Sequence, residues 1–228
     1  MGVIPTSEPD IERGDDENTS VVVRLLRRLL DVVVAAALLG LTSPVLAVAA
    51  LAIKLESRGP VLFRQTRLGQ HRQPFTLYKL RGMYIDARER WPELYAYDSL
   101  EPAAAAEMRF HQERDPRVTR VGRFLRRTSI DELPNLVNVL RGDMHLVGPR
   151  PEIPELAPYY VGAAARILEA KPGLTSLPKS TGRDSLTFAE TVALDLQYLR
   201  RRSLRLDLRI LAMTAVTVLT QRNVEPGG

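Results

Sequence analysis

The chain has no cysteine, which excludes disulfide staples and thiolate metal sites and leaves its redox compartment open. Histidine is nearly as scarce. His71, His111 and His145 are the only three and no two are close in sequence, which argues against a histidine-based zinc centre; each reads as a surface or packing residue. Acid is scarce too, once the first 20 residues are set aside. Those carry six acids and one base, whereas the remaining 208 carry 31 bases and 21 acids, a net of +10. A body so charged seeks anions: phosphates, nucleotides, nucleic acid or acidic lipid headgroups. Its arginines are interleaved with acids and no aromatic-basic recognition motif accompanies them, which argues against nucleic acid. No internal repeat is visible. Residues 1–20 are poor in large apolar side chains and are expected to form a disordered acidic leader. The rest is long enough to bury one sizeable core.

One long apolar run is present, Val32 to Ile53, with 22 residues and no charge. At ~1.5 Å per helical residue it is long enough to cross a hydrocarbon core of ~30 Å. Three features argue against a simple crossing. Both flanks are basic: Arg24, Arg27 and Arg28 before, Lys54, Arg58, Arg64 and Arg67 after, so both ends are suited to the cytoplasmic side. In the middle of the run Pro44 removes a backbone donor, and Thr42 and Ser43 can bond to carbonyls freed by that break. A helix that enters, bends at Ser43-Pro44 and returns satisfies all three. A spanning helix is the alternative, and a signal peptide another, with Ala47-Val48-Ala49 resembling a cleavage site. A buried core helix fits poorly because the run has no polar face.

Further along, Pro60 to Met83 holds two apolar stretches, Val61-Leu62-Phe63 and Phe75-Thr76-Leu77-Tyr78, around a basic turn from Arg67 to Pro74, and predicts a β-hairpin. Residues 86–114, punctuated by Pro92 and Pro102, predict two short helices. The single tryptophan, Trp91, lies there beside Tyr95 and Tyr97, a cluster suited to the headgroup level of a membrane or to plain packing. Near the C-terminus the apolar run Ile210 to Leu219 is ten residues, too short to span. It suits an amphipathic helix in the interface, with Arg200, Arg201 and Arg202 reaching acidic headgroups, or a core-packed helix.

The block Asp115 to Glu152 carries the chemistry. Ser129-x-x-Glu132 has capping-box spacing and Pro134 suits a helix start, which predicts a short helix with Asp131 and Glu132 in its first turn, where the helix dipole favours their ionised forms. With no thiolate and little imidazole, a metal here would need hard oxygen ligands, and these suit magnesium bound through one or two carboxylates and substrate phosphates. Arg123, Arg126 and Arg127 precede the pair; Arg141 and Arg150 follow it. Arginine forks hold phosphate oxygens, so the set forms a phosphoryl-transfer constellation, although an Asp-Glu pair alone is most often a helix-start charge. Pro149 and Pro151 fix the backbone around Arg150, which aims a guanidinium or simply builds a structural loop.

At these residues the chain resembles the bacterial sugar transferase family, the monotopic phosphoglycosyl transferases that start glycan assembly on undecaprenyl phosphate. The resemblance rests on Arg28-Leu29-Leu30-Asp31 leading into the run with its Ser43-Pro44 break, Gly59 to Gln65, Tyr78 to Met83, Asp115 to Gly122, Arg126 to Leu136, and Leu146 to Glu152. It extends from about Arg24 to Arg222. It implies an α+β, mainly helical fold with a re-entrant membrane helix over residues 21–58. A cytoplasmic catalytic domain with a small β-hairpin and interfacial amphipathic helices follows over residues 59–228. The enzyme would sit on the cytoplasmic face of the bacterial inner membrane. The resemblance also implies that Asp131 is a nucleophile toward a UDP-sugar, that Glu132 binds magnesium, and that Arg126 and Arg150, with Lys79 and Arg183 as further candidates, hold phosphates. UMP would be released and a polyprenyl phosphate would take the phosphosugar, as in exopolysaccharide or lipopolysaccharide assembly. The pattern frays at Lys171 to Arg183, where Ser176, Pro178, Lys179 and Ser180 depart from the family's usual residues; Gly82 replaces a usual serine or threonine. A catalytically silent membrane scaffold is the alternative. The sugar, the pathway and the oligomeric state stay open.

Overall fold

The computed structural model describes residues 21–95, 101–108, 115–182 and 185–220. The leader, Tyr97, His111 and Arg183 therefore lie outside the described residues.

Helix α1, Val21–Glu56, contains the whole apolar run and continues through Pro44. A proline leaves the carbonyl four residues back without its amide partner. Here that carbonyl belongs to Gly40, and the Ser43 hydroxyl donates to it at 2.8 Å. Thr42 donates to the Leu38 carbonyl at 2.7 Å. The Ser43 hydroxyl thus supplies the donor that the helical ladder lacks at Pro44. At the far end the Arg81 guanidinium donates to the carbonyls of Ser57 and Arg58. Among the described residues α1 is the one helix long and apolar enough to cross a membrane.

Both ends of α1 fasten to the same body. Near the N-terminus, Arg27 pairs with Asp207, Arg28 donates to the carbonyls of Val139 and Leu140, and Asp31 accepts from the Leu146 amide. Near the C-terminus, Ala49 and Ile53 pack with Leu80 and Leu125. Between the two attachments Leu41, Val45 and Val48 are exposed.

The expected hairpin forms from β1, Leu62–Leu68, and β2, Pro74–Leu80, antiparallel with Phe63 opposite Lys79. Leu77 and Leu80, three residues apart on β2, point to opposite faces of the strand and are buried in two different clusters. The helical turns Ala87–Arg90 and Pro102–Glu107 match the two short helices expected there. In that region the Arg90 guanidinium lies over Trp91 and the Arg117 guanidinium over Tyr95.

Helix α2, Arg120–Thr128, starts where the Glu56 carboxylate accepts the amides of Arg120 and Val121 and Thr119 accepts the Gly122 amide. An acid at a helix start satisfies donors that have no intrahelical partner. A tight 3-10 segment, Ile130–Asn135, leads into α3, Leu136–Arg141. Strands β3, His145–Val147, and β4, Gly173–Thr175, form a small parallel pair. Helices α4, Leu177–Thr181, α5, Phe188–Arg201, and α6, Leu204–Thr220, complete the fold. Residues of α1, β2, α3, β3, α5 and α6 meet in one core: Ala35, Leu77, Leu136, Val139, Leu146, Tyr198 and Ile210. One face of α6 is therefore packed, through Ile210 and Asp207, while Leu208, Val216 and Leu219 on the same helix are exposed.

Candidate active site

Three structural pieces converge on the carboxylate pair. The hairpin brings Lys79 on β2, the 3-10 segment brings Asp131 and Glu132, and α4 brings Lys179. Asn138, fully buried, fastens the first two. Its amide nitrogen donates to the Thr76 carbonyl at 2.7 Å, and its side-chain oxygen accepts the Tyr78 amide at 3.3 Å. A buried amide with both ends satisfied fixes the register of strand against helix.

The local geometry corrects two expectations. Ser129 does not cap a helix carrying the pair; it ends α2 in the left-handed conformation, at φ 58°, with no side-chain cap bond. Asp131 and Glu132 do stand in the first turn of the segment that follows, as expected, but that turn is 3-10 rather than α-helical. Their environments diverge. Asp131 is buried, and burial raises its carboxyl to about 6 against the pull of Lys79 and, more weakly, of Arg126 and Lys179. Glu132, whose side chain is 23% exposed, is held well below the usual range despite burial, because Lys179 and Lys79 both bond to it. Lys79 reaches Oε1 at 3.0 Å, and the Lys179 ammonium bonds Oε2. Burial in turn lowers Lys79, with Glu132 and Asp131 opposing that shift. Two adjacent carboxyls pushed apart in this way can divide the labour of a reaction, one staying charged and one poised near neutrality.

Of the other expected phosphate ligands, Arg126 and Arg150 lie around this pair, and Arg183 lies outside the described residues. Arg126, in the last turn of α2, is 3.8 Å from Asp115, and its charge reaches Asp131. Arg150 acts on Lys79 through its charge, and its loop is pinned on both sides: the Gly173 amide donates to the Pro149 carbonyl at 2.8 Å, and Arg67 donates to the Pro151 carbonyl at 3.1 Å. Behind it stand two buried acids. Glu152 accepts from the Tyr160 hydroxyl at 3.0 Å, and burial pushes Asp195 well above the carboxylate range. Asp195 and the α5 helix that carries it were not read from the sequence, although Thr187-x-x-Glu190 forms a true capping box at its start. Lys179 was read only as a departure; Ser176, which accepts the Lys179 amide three residues on, was the available sign that it starts a helix.

Magnesium at Glu132 can be tested on the donor set. Both Glu132 oxygens are held by ammonium groups, which leaves neither open to a metal ion. The residues as arranged do not fit a preformed magnesium site.

Known proteins resemble the chain along most of its length. The sequence model described as "Bacterial sugar transferase" matches residues 22–221. The chain is 47% identical over 214 residues to the UDP-glucose:undecaprenyl-phosphate glucose-1-phosphate transferase of Caulobacter vibrioides, covering 89% of this chain and 73% of that protein. It is 37% identical over 201 residues to an uncharacterized sugar transferase of Bacillus subtilis, covering 88% of this chain and 91% of the relative. To the undecaprenyl-phosphate galactose phosphotransferase of Salmonella typhimurium it is 39% identical over 198 residues, 86% of this chain but 41% of that longer protein. Matched along nearly all of its described length, the chain belongs to the bacterial sugar transferase family.

Proposed function

We propose that this chain transfers a sugar-1-phosphate from a UDP-sugar to polyprenyl (undecaprenyl) phosphate at the cytoplasmic face of the bacterial inner membrane. One observation carries the reading: a buried carboxyl, Asp131, poised near neutrality beside the ionised Glu132 and within the field of Lys79, Arg126 and Lys179. Asp131 attacks the β-phosphorus of the donor. The bond from that phosphorus to the bridging oxygen breaks, and UMP leaves with the electron pair. An oxygen of the lipid phosphate then attacks the same phosphorus, giving the lipid diphosphate sugar and returning Asp131 as a carboxylate. Arg126, Arg150 and Lys79 supply cationic charge to the phosphoryl oxygens as charge builds on them. A poorly hydrated carboxylate sheds little solvent on attack, so the burial of Asp131 favours the step.

The membrane reading belongs with this one. We propose that α1 is re-entrant at Ser43-Pro44, with both ends in the cytoplasm. Its support is that the two ends are fastened to one body through Arg27 and Asp31 on one side and Ile53 and Glu56 on the other. The names of relatives favour UDP-glucose and UDP-galactose as the first donors to try. A panel of UDP-sugars with undecaprenyl phosphate, read by UMP release, tests the activity. Release with one donor, abolished in Asp131→Asn, supports it. No release with any donor favours a silent membrane scaffold.

A further inference from the structure

Lys179 lies in the segment, Ser176 to Ser180, where the chain departs most from the family it resembles. Two of the departures work as one device. The Ser176 hydroxyl accepts the Lys179 amide at 3.2 Å and so begins α4. From that turn the Lys179 ammonium reaches across 47 residues to Glu132 Oε2 and also donates to the Leu174 carbonyl at 3.2 Å. Lys79 holds the other Glu132 oxygen from the opposite side. The side chains of Lys79, Lys179 and Glu132 are 23–26% exposed, so solvent screens these contacts less than it would a surface pair.

We propose that Lys179 is the resident cation of Glu132: it orients this carboxylate beside Asp131 and keeps a divalent metal off it while the donor site is empty. A divalent ion on Glu132 would have to displace an ammonium from an oxygen and then sit against both lysines. Removing one lysine frees an oxygen and removes a like charge. Metal affinity at Glu132 therefore rises when Lys179 is neutralised. Lys179 is a positioning residue in this account, since it acts through Glu132. The inference deepens the transferase reading and rests on it for the importance of Glu132, but the competition between cations needs no turnover to observe.

The probe is manganese(II), titrated into the full chain in detergent micelles without donor and followed by electron paramagnetic resonance. Wild type should bind it weakly. Lys179→Gln should bind it about tenfold or more tightly, the value of one charged hydrogen bond to the carboxylate. Lys179→Arg should behave as wild type, and Glu132→Gln added to Lys179→Gln should abolish the gain. Equal affinity in wild type and Lys179→Gln overturns the proposal, as does a gain that survives loss of Glu132. If Lys179→Gln loses its folded thermal transition, Lys179→Met, which keeps the apolar stem, takes its place. Wild type alone is also decisive: manganese binding below about 0.1 mM that Glu132→Gln removes would overturn the proposal, since a site that tight is already open. A wild type inactive with every UDP-sugar would sink the transferase reading and leave this competition standing; equal manganese affinities would do the reverse.

Discussion

Arg27, in the second turn of the long apolar helix, and Asp207, 180 residues later, form a buried ion pair at 2.8 Å, with side chains 8% and 6% exposed. Tyr198 completes the site by donating to the other Asp207 oxygen at 2.8 Å. This pair fixes α1 to α6. Arg27→Met strands a buried carboxylate and should cost roughly 3–5 kcal/mol in thermal unfolding in detergent, whereas Arg27→Met with Asp207→Leu should recover much of that loss. Equal stability of wild type and Arg27→Met would show that the pair anchors nothing.

The divergence of Asp131 and Glu132 gives a pH dependence with a definite sign. Asp131 must be ionised to attack, so turnover should rise as pH passes through about 6. The contribution of Asp131 to stability should run the other way, opposite in sign to that of Glu132, whose lowered value stabilises the fold above the ordinary carboxylate range. Because the folded-state value of Asp131 lies above the ordinary 3.8, folding is favoured below about 4 and loses ground as pH rises to about 6, on the order of 3 kcal/mol in all. Asp131→Asn removes that penalty. It should abolish transfer while raising the melting temperature at pH 8 more than at pH 4.

Gly122 shows why one glycine of the matched segments cannot vary and its neighbour can. A β-carbon on Gly122 would lie 2.0 Å from the Gly82 carbonyl oxygen, whereas one on Gly82 meets the Gly122 α-carbon at an ordinary 3.5 Å. Gly122→Ala should cost at least about 1–3 kcal/mol and shift α2, carrying Arg126 away from Asp131. Gly82→Ser, the family's usual residue, should be tolerated. Thermal unfolding of the two variants side by side checks the contrast.

The topology of α1 is open to labelling because the chain has no cysteine of its own. Thr19→Cys and Ser57→Cys should both be shielded from a membrane-impermeant thiol reagent in intact cells and both react after lysis. Labelling of one position alone in intact cells would establish a spanning helix.

Much of this arrangement was legible from local pattern. The hairpin followed from two apolar stretches around a basic turn, and the Ser43 hydroxyl sits on the carbonyl that Pro44 leaves bare, as the run of Thr42, Ser43 and Pro44 suggested. Spacing alone misled at Ser129. Ser129-x-x-Glu132 and Thr187-x-x-Glu190 share one pattern, yet the second is a capping box while the first follows a helix that ends there in a left-handed residue. The parallel pair β3 and β4 was invisible because three-residue strands show no periodicity. Lys179 could be seen to differ but not where it went, since its partner lies 47 residues away and only the fold brings the two together.

Capture of a phosphosugar on the protein tests whether Asp131 carries it between donor and lipid. Wild-type enzyme incubated with a UDP-sugar radiolabelled in the sugar, without lipid acceptor, should retain label on the protein after denaturation. Native, labelled enzyme should lose the label when polyprenyl phosphate is added. Asp131→Asn should retain none and turn over at no measurable rate. Turnover by Asp131→Asn near the wild-type rate, with no label ever retained by wild type, would contradict the account and make the lipid phosphate the direct attacking group.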